Sequence, residues 1–152
     1  MLIGIDPLLT PELLYVLAAM GHGDDLVIAD ANFPAYSTAP RTRHGQVLTL
    51  PGSTAPAALR AVLSLLPLDN FVDQPVRTMA VEGSPDEIPP VQRELQEVVD
   101  NAAGRHWPLG ALSRTGFYEA AGSAYAVVIT GERRLYGNVL VKKGVVPPDG
   151  SA

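Results

Sequence analysis

The sequence predicts an α/β domain, layered around a mostly parallel sheet. Three observations lead to this fold class. Apolar runs of strand length alternate along the chain with amphipathic segments of helix length. The run at 26–29 contains no polar residue, as in a strand that is buried on both faces. The 152 residues suffice for one domain with a substantial core, and 1–146 are assigned to it, with 147–152 as a disordered tail.

The bounds of the individual helices and strands are predicted from capping residues, from apolar periodicity, and from the glycine and proline residues that end these elements. Thr10 and Pro11 begin a first helix, and Gly21 is expected to end it as a left-handed cap. After the strand at 26–29, residues 32–37 read as a loop. Further strands are expected at 47–50, 76–81, 111–113, 125–130 and 139–141. Further helices are expected from Ser53 or Thr54 to Pro67, from Pro89 to Gly104, and over 117–121.

Composition argues against several classes of function. The net charge is −5 and the densest basic cluster is 41–44, so a nucleic-acid partner is not expected. The chain has no cysteine, and its three histidines lack metal-type spacing, so neither a metal nor another cofactor is expected. No phosphate loop, dinucleotide fingerprint or nucleophile elbow occurs in the sequence.

The apolar content instead indicates a subunit interface. Hydrophobic residues make up 47% of the chain and its mean hydropathy is +0.14. No apolar run approaches the length of a membrane span, so no membrane association is expected. No secretory signal is visible, and we therefore expect a cytoplasmic location. Contact between copies of the chain is the simplest way to bury the apolar surplus.

His22 and Asp30 are the polar residues that flank the central strand. Histidine titrates near pH ~6.5 and can transfer protons at neutral pH, although a surface loop histidine is an equally good interpretation of His22. Asp30 follows the carboxyl end of the strand, where open α/β sheets bind ligands, but a turn or helix cap also suits it. Four extended residues cover roughly 13 Å, so one small ligand can hardly contact both within one chain. Either the loop at 23–25 folds back or, as we prefer, a neighbouring subunit completes the site.

Several segments together resemble the fucose mutarotase and ribose pyranase family of sugar-handling proteins. The resemblance covers nearly the whole chain, in order, through 8–14, 20–24, 29–34, 117–119, 128–132, 136–138 and 142–145. Gly-His-Gly-Asp at 21–24, and Ile-Thr-Gly-Glu at 129–132 followed by Tyr-Gly-Asn, resemble the fucose branch. The chain departs from the family at Asp25, where glutamate is frequent, in the longer proline-rich stretch 86–90, and in the tail after Pro147.

The resemblance implies a three-layer α/β/α fold and an isomerase that exchanges the anomers of L-fucose. It also implies a ring-like homo-oligomer, typically a decamer, with sites at subunit contacts. His22 would be the proton donor, and the sugar would be bound by Asp30, Arg114, Tyr136, Gly137 and Asn138. The ribose branch usually has histidine at the position of Arg114. Taken alone, Arg114 is equally explained by a surface pair with Glu119, and 136–138 by a turn.

The implied chemistry needs an acid and a base, but no metal or nucleotide. Protonation of the ring oxygen and removal of the anomeric proton open the ring, which then closes on the other face. Tyr136 is a second candidate for proton transfer, and Phe33 or Tyr118 could lie against the apolar face of the sugar. The alternatives are pyranose–furanose exchange of D-ribose, a non-catalytic sugar-binding or transport-accessory protein, and a purely structural ring component.

Overall fold

The computed structural model describes residues 2–148 and 150 of the chain. The tail predicted at 147–152 therefore lies partly outside the described residues. The helices are α1 (Pro11–Ala19), α2 (Ala35–Thr38), α3 (Ala55–Leu63), α4 (Pro90–Ala103) and α5 (Arg114–Gly122). The strands are β1 (Asp25–Ala29), β2 (Val47–Leu50), β3 (Val76–Met79), β4 (Gly110–Leu112), β5 (Ala126–Thr130) and β6 (Val139–Lys142).

Within the described residues the strands form one sheet in the order β2-β5-β1-β6-β3-β4. β6 is antiparallel to β1 and β3, whereas the other neighbouring pairs are parallel. The expectation of a mostly parallel sheet is thus confirmed. We call the edge where β1 to β5 end and β6 begins the carboxyl edge, and the opposite one the amino edge.

Helices cover both faces of the sheet, which confirms the three-layer α/β/α fold. Successive residues of β1 point to opposite faces, as strand geometry requires. Leu26 and Ile28 pack into the core beneath α1, α3 and α4. Val27 and Ala29 pack into a second core with Phe117 of α5. β1 is buried on both sides and lies in the interior of the sheet, so its two ends open onto the two edges.

Helix α1 begins as expected but ends differently. Its N-cap is Thr10, whose Oγ1 accepts a hydrogen bond from the Leu13 N–H at 3.2 Å. The chain leaves the helix in an extended conformation at Met20, so the left-handed cap predicted at Gly21 is wrong. The left-handed residue is instead Gly23 (φ 84°), where the chain turns to enter β1. The Gly21 N–H donates a hydrogen bond to Asp24 Oδ2 across this turn. The cap predicted at Gly104 (φ 66°) is confirmed.

Small differences in the other elements follow from packing that the sequence pattern does not reveal. The loop predicted at 32–37 contains the start of α2, because Phe33 and Ala35 insert into the second core and shape the backbone around them. β3 ends at Met79, two residues earlier than predicted. β6 extends to Lys142, which pairs in register with Asp25 of β1.

Candidate functional site at the carboxyl edge

The carboxyl edge collects most of the residues that the sequence singled out. Asp30 directly follows β1, Arg114 begins α5 just after β4, and Asn138 directly precedes β6. Glu82, which the sequence did not single out, follows β3. These residues meet in two hydrogen-bonded groups, which are joined through the short segment 136–138.

Asp30 and Asn138 form the first group, and both are buried. Asn138 Nδ2 donates to Asp30 Oδ2 at 2.9 Å, and the Asp30 N–H donates to Asn138 Oδ1 at 2.9 Å. The Asn32 N–H donates to the other carboxylate oxygen at 3.0 Å, so Asp30 also serves as the turn residue considered from sequence. The backbone N–H groups of Gly137 and Phe33 also point toward this carboxylate, so the chain itself surrounds Asp30 with donors.

Burial raises the pKa of Asp30 above its ordinary value. Hydrogen bonds from Asn32 and Asn138 favour the ionised form and offset part of this effect. The ionised form of Asp30 is therefore less stable, relative to its protonated form, than that of an exposed aspartate. A ligand hydroxyl that donates to it would stabilise the ionised form.

Arg114, Glu82 and Tyr136 form the second group. Arg114 Nη1 donates to Glu82 Oε2 at 3.0 Å, and the Glu82 N–H donates to Tyr136 Oη at 3.3 Å. The surface pair of Arg114 with Glu119 is absent among the described contacts, because residues five apart do not share a helix face. Glu82 and Arg114 line a cleft of about 280 Å³, close to the lower end of ligand-pocket volumes, roughly 300–1,000 Å³.

The aromatic residues near this cleft differ in accessibility. Phe33 is buried against Phe117, with ring centroids 6.0 Å apart, so its ring is not free to contact a ligand. Tyr118 packs on Phe33 at 5.6 Å and remains partly exposed. The Arg114 guanidinium lies 5.6 Å from the centroid of the Tyr118 ring. Tyr118 is thus the aromatic residue that could lie against an apolar sugar face.

The segment 136–138 has an unusual backbone. Tyr136 adopts φ 65°, a left-handed conformation that costs a non-glycine residue on the order of 1–2 kcal/mol. Gly137 is not in the left-handed region, so glycine is not needed there for a turn, but it is needed for close packing. A Cβ on Gly137 would lie 2.8 Å from Glu132 Cγ, so only glycine lets the segment pass so close.

Glu132 and Arg134 hold the loop that leads to this segment, and sequence reasoning missed them. Glu132 is buried, and its carboxylate accepts hydrogen bonds from Arg134 N, Nε and Nη2 at 3.0, 2.9 and 2.9 Å. These bonds lower the pKa of Glu132 to about 2. Arg134 also binds both carboxylate oxygens of Glu94 on α4. The charged run 132–134 has the composition of a solvated turn, and no periodicity in so short a loop marks Glu132 as buried.

His22 lies at the opposite, amino edge. Its Nε2 is 3.1 Å from Oδ1 of the buried Asp69, and its ring packs 5.2 Å from that of Phe71. The loop before β1 does not fold back toward Asp30, because it continues the pairing of β1 with β6 at this edge. The Gly23 N–H donates to the Lys143 carbonyl, and the Lys143 N–H donates to the Asp24 carbonyl. The five residues of β1 span about 16 Å. The structure therefore does not bring His22 and Asp30 together within one chain.

Two kinds of feature are not found among the described residues. Among the described residues, no group of three histidine, aspartate or glutamate side chains is arranged to hold a metal ion. Within the same part of the chain, no helix is both long enough and apolar enough to span a membrane.

Comparison with known proteins identifies relatives that match nearly the whole chain. The model of the RbsD / FucU transport protein family matches residues 3–146. The chain is 44% identical to the L-fucose mutarotase of Haemophilus influenzae (strain 86-028NP), over 97% of this chain and 99% of that protein.

Solved structures give the same result. The fucose mutarotase of Streptococcus pneumoniae, in complex with L-fucose, superposes with a TM-score of 0.86 at 38% identity, over 96% of this chain and 100% of that one. Bacillus subtilis RbsD, complexed with D-ribose, superposes with a TM-score of 0.64 at 25% identity, over 91% and 95% of the two chains. The fold similarity is therefore higher to the fucose-bound structure than to the ribose-bound one.

Proposed function

This chain belongs to the RbsD / FucU transport protein family, and on that premise we propose that it interconverts the α and β anomers of L-fucose. It is an isomerase that opens the sugar ring and closes it on the other face of C1. The observation that carries this function is the group of fixed donors and acceptors at the carboxyl edge, made by Asp30, Asn138 and Arg114. Pyranose–furanose exchange of D-ribose is less well supported, because similarity to the ribose-bound relative is lower.

The residues at the carboxyl edge supply binding and orientation. The Asp30 carboxylate accepts a hydrogen bond from a sugar hydroxyl, and Asn138 holds this carboxylate in place. Arg114 is a permanently charged donor with a planar fork of N–H groups. Gly137 lets the backbone approach the sugar, and Tyr136 presents a hydroxyl that can donate or accept a proton.

The proton-transfer step needs a side chain that can both donate and accept a proton, and we assign it to His22, because imidazole is a side chain of that type. The three histidines of the chain each precede a parallel strand, His22 before β1, His44 before β2 and His106 before β4. All of them therefore lie toward the amino edge, away from Asp30. His22 of one copy would then act on a sugar held by the carboxyl edge of another copy.

The surface around His22 supports such a shared site. The Phe71 ring packs against the His22 ring at a tilt of 53° and is 71% exposed, and Val72 is also exposed. Apolar surface of this kind is favourably covered by a second copy of the chain. Asp69 accepts a hydrogen bond from one imidazole nitrogen, which would fix the ring orientation and leave the other nitrogen for the substrate. A homodecamer and a cytoplasmic location belong to the same proposal.

The decisive experiment measures exchange between the anomeric proton NMR signals of L-fucose, and separately of D-ribose, with catalytic amounts of protein. We expect faster α–β exchange for L-fucose, and a loss of about 10²–10⁴-fold in His22→Ala. His106→Ala is the matched control, because His106 also pairs with an aspartate, Asp100, at the amino edge. Acceleration for ribose alone would reassign the substrate. Line broadening without exchange would indicate a sugar-binding protein.

A mixing experiment tests whether the site is shared. His22→Ala and Asp30→Ala are each expected to be nearly inactive alone. When equal amounts are unfolded and reassembled together, about a quarter of the sites receive both intact residues from neighbouring copies, and activity returns to that extent. Mixtures that stay as inactive as the two parents would show that both residues must come from one chain.

A further inference from the structure

Gln92 is a buried polar residue on the apolar side of α4. Its side-chain amide donates two hydrogen bonds, to the carbonyl oxygen of Met79 at 2.8 Å and to that of Tyr136 at 3.1 Å. Thr78 Oγ1 lies 3.5 Å from the Gln92 carbonyl oxygen. A buried amide is costly unless its hydrogen bonds are made, and here both N–H groups bond to backbone at the carboxyl edge.

These two bonds connect the parts of the candidate site that lie on different strands. Met79 ends β3, three residues before Glu82, whose N–H donates to the Tyr136 hydroxyl. The Tyr136 carbonyl is held by the same amide that holds Met79. Both the backbone and the hydroxyl of Tyr136 are thus tied to the end of β3, the carbonyl through Gln92 and the hydroxyl through Glu82.

Tyr136 needs such support because its backbone is left-handed. A non-glycine residue keeps this conformation only where the surrounding structure determines it. The close approach of Gly137 to Glu132 constrains the next residue, but only Gln92 among the described side chains donates to the Tyr136 carbonyl. Loss of this donor removes a bond that favours the left-handed form.

We infer that Gln92 is a positioning residue that fixes Tyr136, and with it the hydroxyl, at the sugar site. Its effect on rate rests on the proposed function, but its effect on the position of Tyr136 does not. Gln92 itself contacts no substrate in this account. It acts through the backbone of Tyr136 and through the strand end that carries Glu82.

The test compares Gln92→Met with Gln96→Met. Methionine keeps the length of glutamine but removes both donors. Gln96 lies one turn later on α4 and also makes several hydrogen bonds, to Asp100, Trp107 and Leu109, but it holds the loop before β4, at the amino edge. Both variants lose comparable hydrogen bonding, and only Gln92→Met loses it at the site.

We expect Gln92→Met to lower kcat for L-fucose anomer exchange by about ten- to a hundredfold, with a smaller change in KM, because misplacement of a reacting group chiefly affects the chemical step. Gln96→Met should stay within about twofold of the parent. Equal loss of rate in the two variants would mean that Gln92 is merely structural, and an unchanged rate in Gln92→Met would overturn the inference.

A spectroscopic readout separates this inference from the proposed function. With ¹³C-labelled tyrosine, the Tyr136 ring signal is assigned by its absence in Tyr136→Phe. It should shift or broaden in Gln92→Met and stay in place in Gln96→Met, whichever sugar the protein accepts. An unaltered Tyr136 signal in Gln92→Met would refute the positioning role even if the rate fell. If Gln92→Met fails to fold, Gln92→Glu keeps the shape and, when ionised, removes the same donors.

Discussion

The buried ion pair between Glu132 and Arg134 leads to a prediction about acid stability. The Glu132 side chain is 3% exposed, and three hydrogen bonds from Arg134 hold it in the ionised form. Its pKa falls from the ordinary value of 4.5 to about 2. At about 1.36 kcal/mol for each pKa unit, this difference corresponds to at most about 3 kcal/mol of folding free energy.

Solvent reduces this figure, because the Arg134 side chain is 41% exposed and its charge is partly screened. We therefore expect Glu132→Gln to lower the free energy of unfolding by about 1–3 kcal/mol at pH 7. The sign of the pH dependence follows from the lowered pKa. The stabilisation is complete above pH 4.5, where both folded and unfolded chains are ionised, and it is lost as pH falls toward 2.

The assay is urea unfolding of the parent and of Glu132→Gln between pH 7 and pH 3. Protein concentration is kept constant, because unfolding of an oligomer depends on it. The difference between the two proteins should shrink through this acid range. Glu94→Gln is the control, since it removes the other carboxylate that binds Arg134. Because the Glu94 side chain is about half exposed, this substitution should lower the free energy of unfolding by less than about 1 kcal/mol.

Two results would refute this reasoning. A difference between parent and Glu132→Gln that is the same at pH 3 and pH 7 would mean that the ionisation of Glu132 is not the source of its stabilisation. A loss in Glu94→Gln as large as that in Glu132→Gln would mean that burial of the carboxylate is irrelevant. Either result would require another explanation of how the loop 131–138 is held.

The remaining predictions concern the sugar site. Arg114→Lys removes the planar fork and should raise KM for L-fucose by about tenfold, with kcat little changed, as measured by anomer exchange at varied sugar concentration. Tyr136→Phe should lower kcat by about 10²-fold if the hydroxyl transfers a proton, with a loss of stability below about 1.5 kcal/mol in urea unfolding. Because burial raises the pKa of Asp30, the rate should fall with decreasing pH earlier than it would with an exposed aspartate, and Asp30→Asn should abolish this acid limb along with most of the activity.

Most of the fold could be predicted from the sequence because its signals are local. The continuous apolar run at 26–29 identifies a strand buried on both faces, and the caps at Thr10 and Gly104 fix helix ends within a residue or two. Asp30 could be placed at the carboxyl edge, because that position follows from strand direction alone. The three-layer arrangement came from the family resemblance, and the structure confirms it.

The remainder depends on contacts between distant segments. Nothing in the apolar pattern of β6 distinguishes an antiparallel strand from a parallel one, since both read as a short β-branched run. The helical period of α4 favours Ala102 on its apolar side, together with Val91, Leu95, Val98 and Val99, yet Ala102 is exposed and the polar Gln92 is buried. Gln92 is buried because its partners are the carbonyls of Met79 and Tyr136, which a pattern within α4 cannot reveal.

In the proposed function, proton transfer and sugar binding involve residues at opposite edges of the sheet, and we therefore expect assembly to be necessary for activity. At the carboxyl edge, the titratable side chains of the two groups are the carboxyls of Asp30 and Glu82, the guanidinium of Arg114 and the phenol of Tyr136. Carboxyl, guanidinium and phenol side chains are not the types that ordinarily exchange protons at neutral pH. A reaction that takes up and returns a proton at neutral pH is best served by a group with a pKa near 7. Imidazole is the side-chain type suited to this exchange, and His22 carries one, but its own strand holds it about 16 Å away. Only a second copy can bring a His22 side chain to this edge, so we expect dilution into monomers to abolish exchange while each chain stays folded.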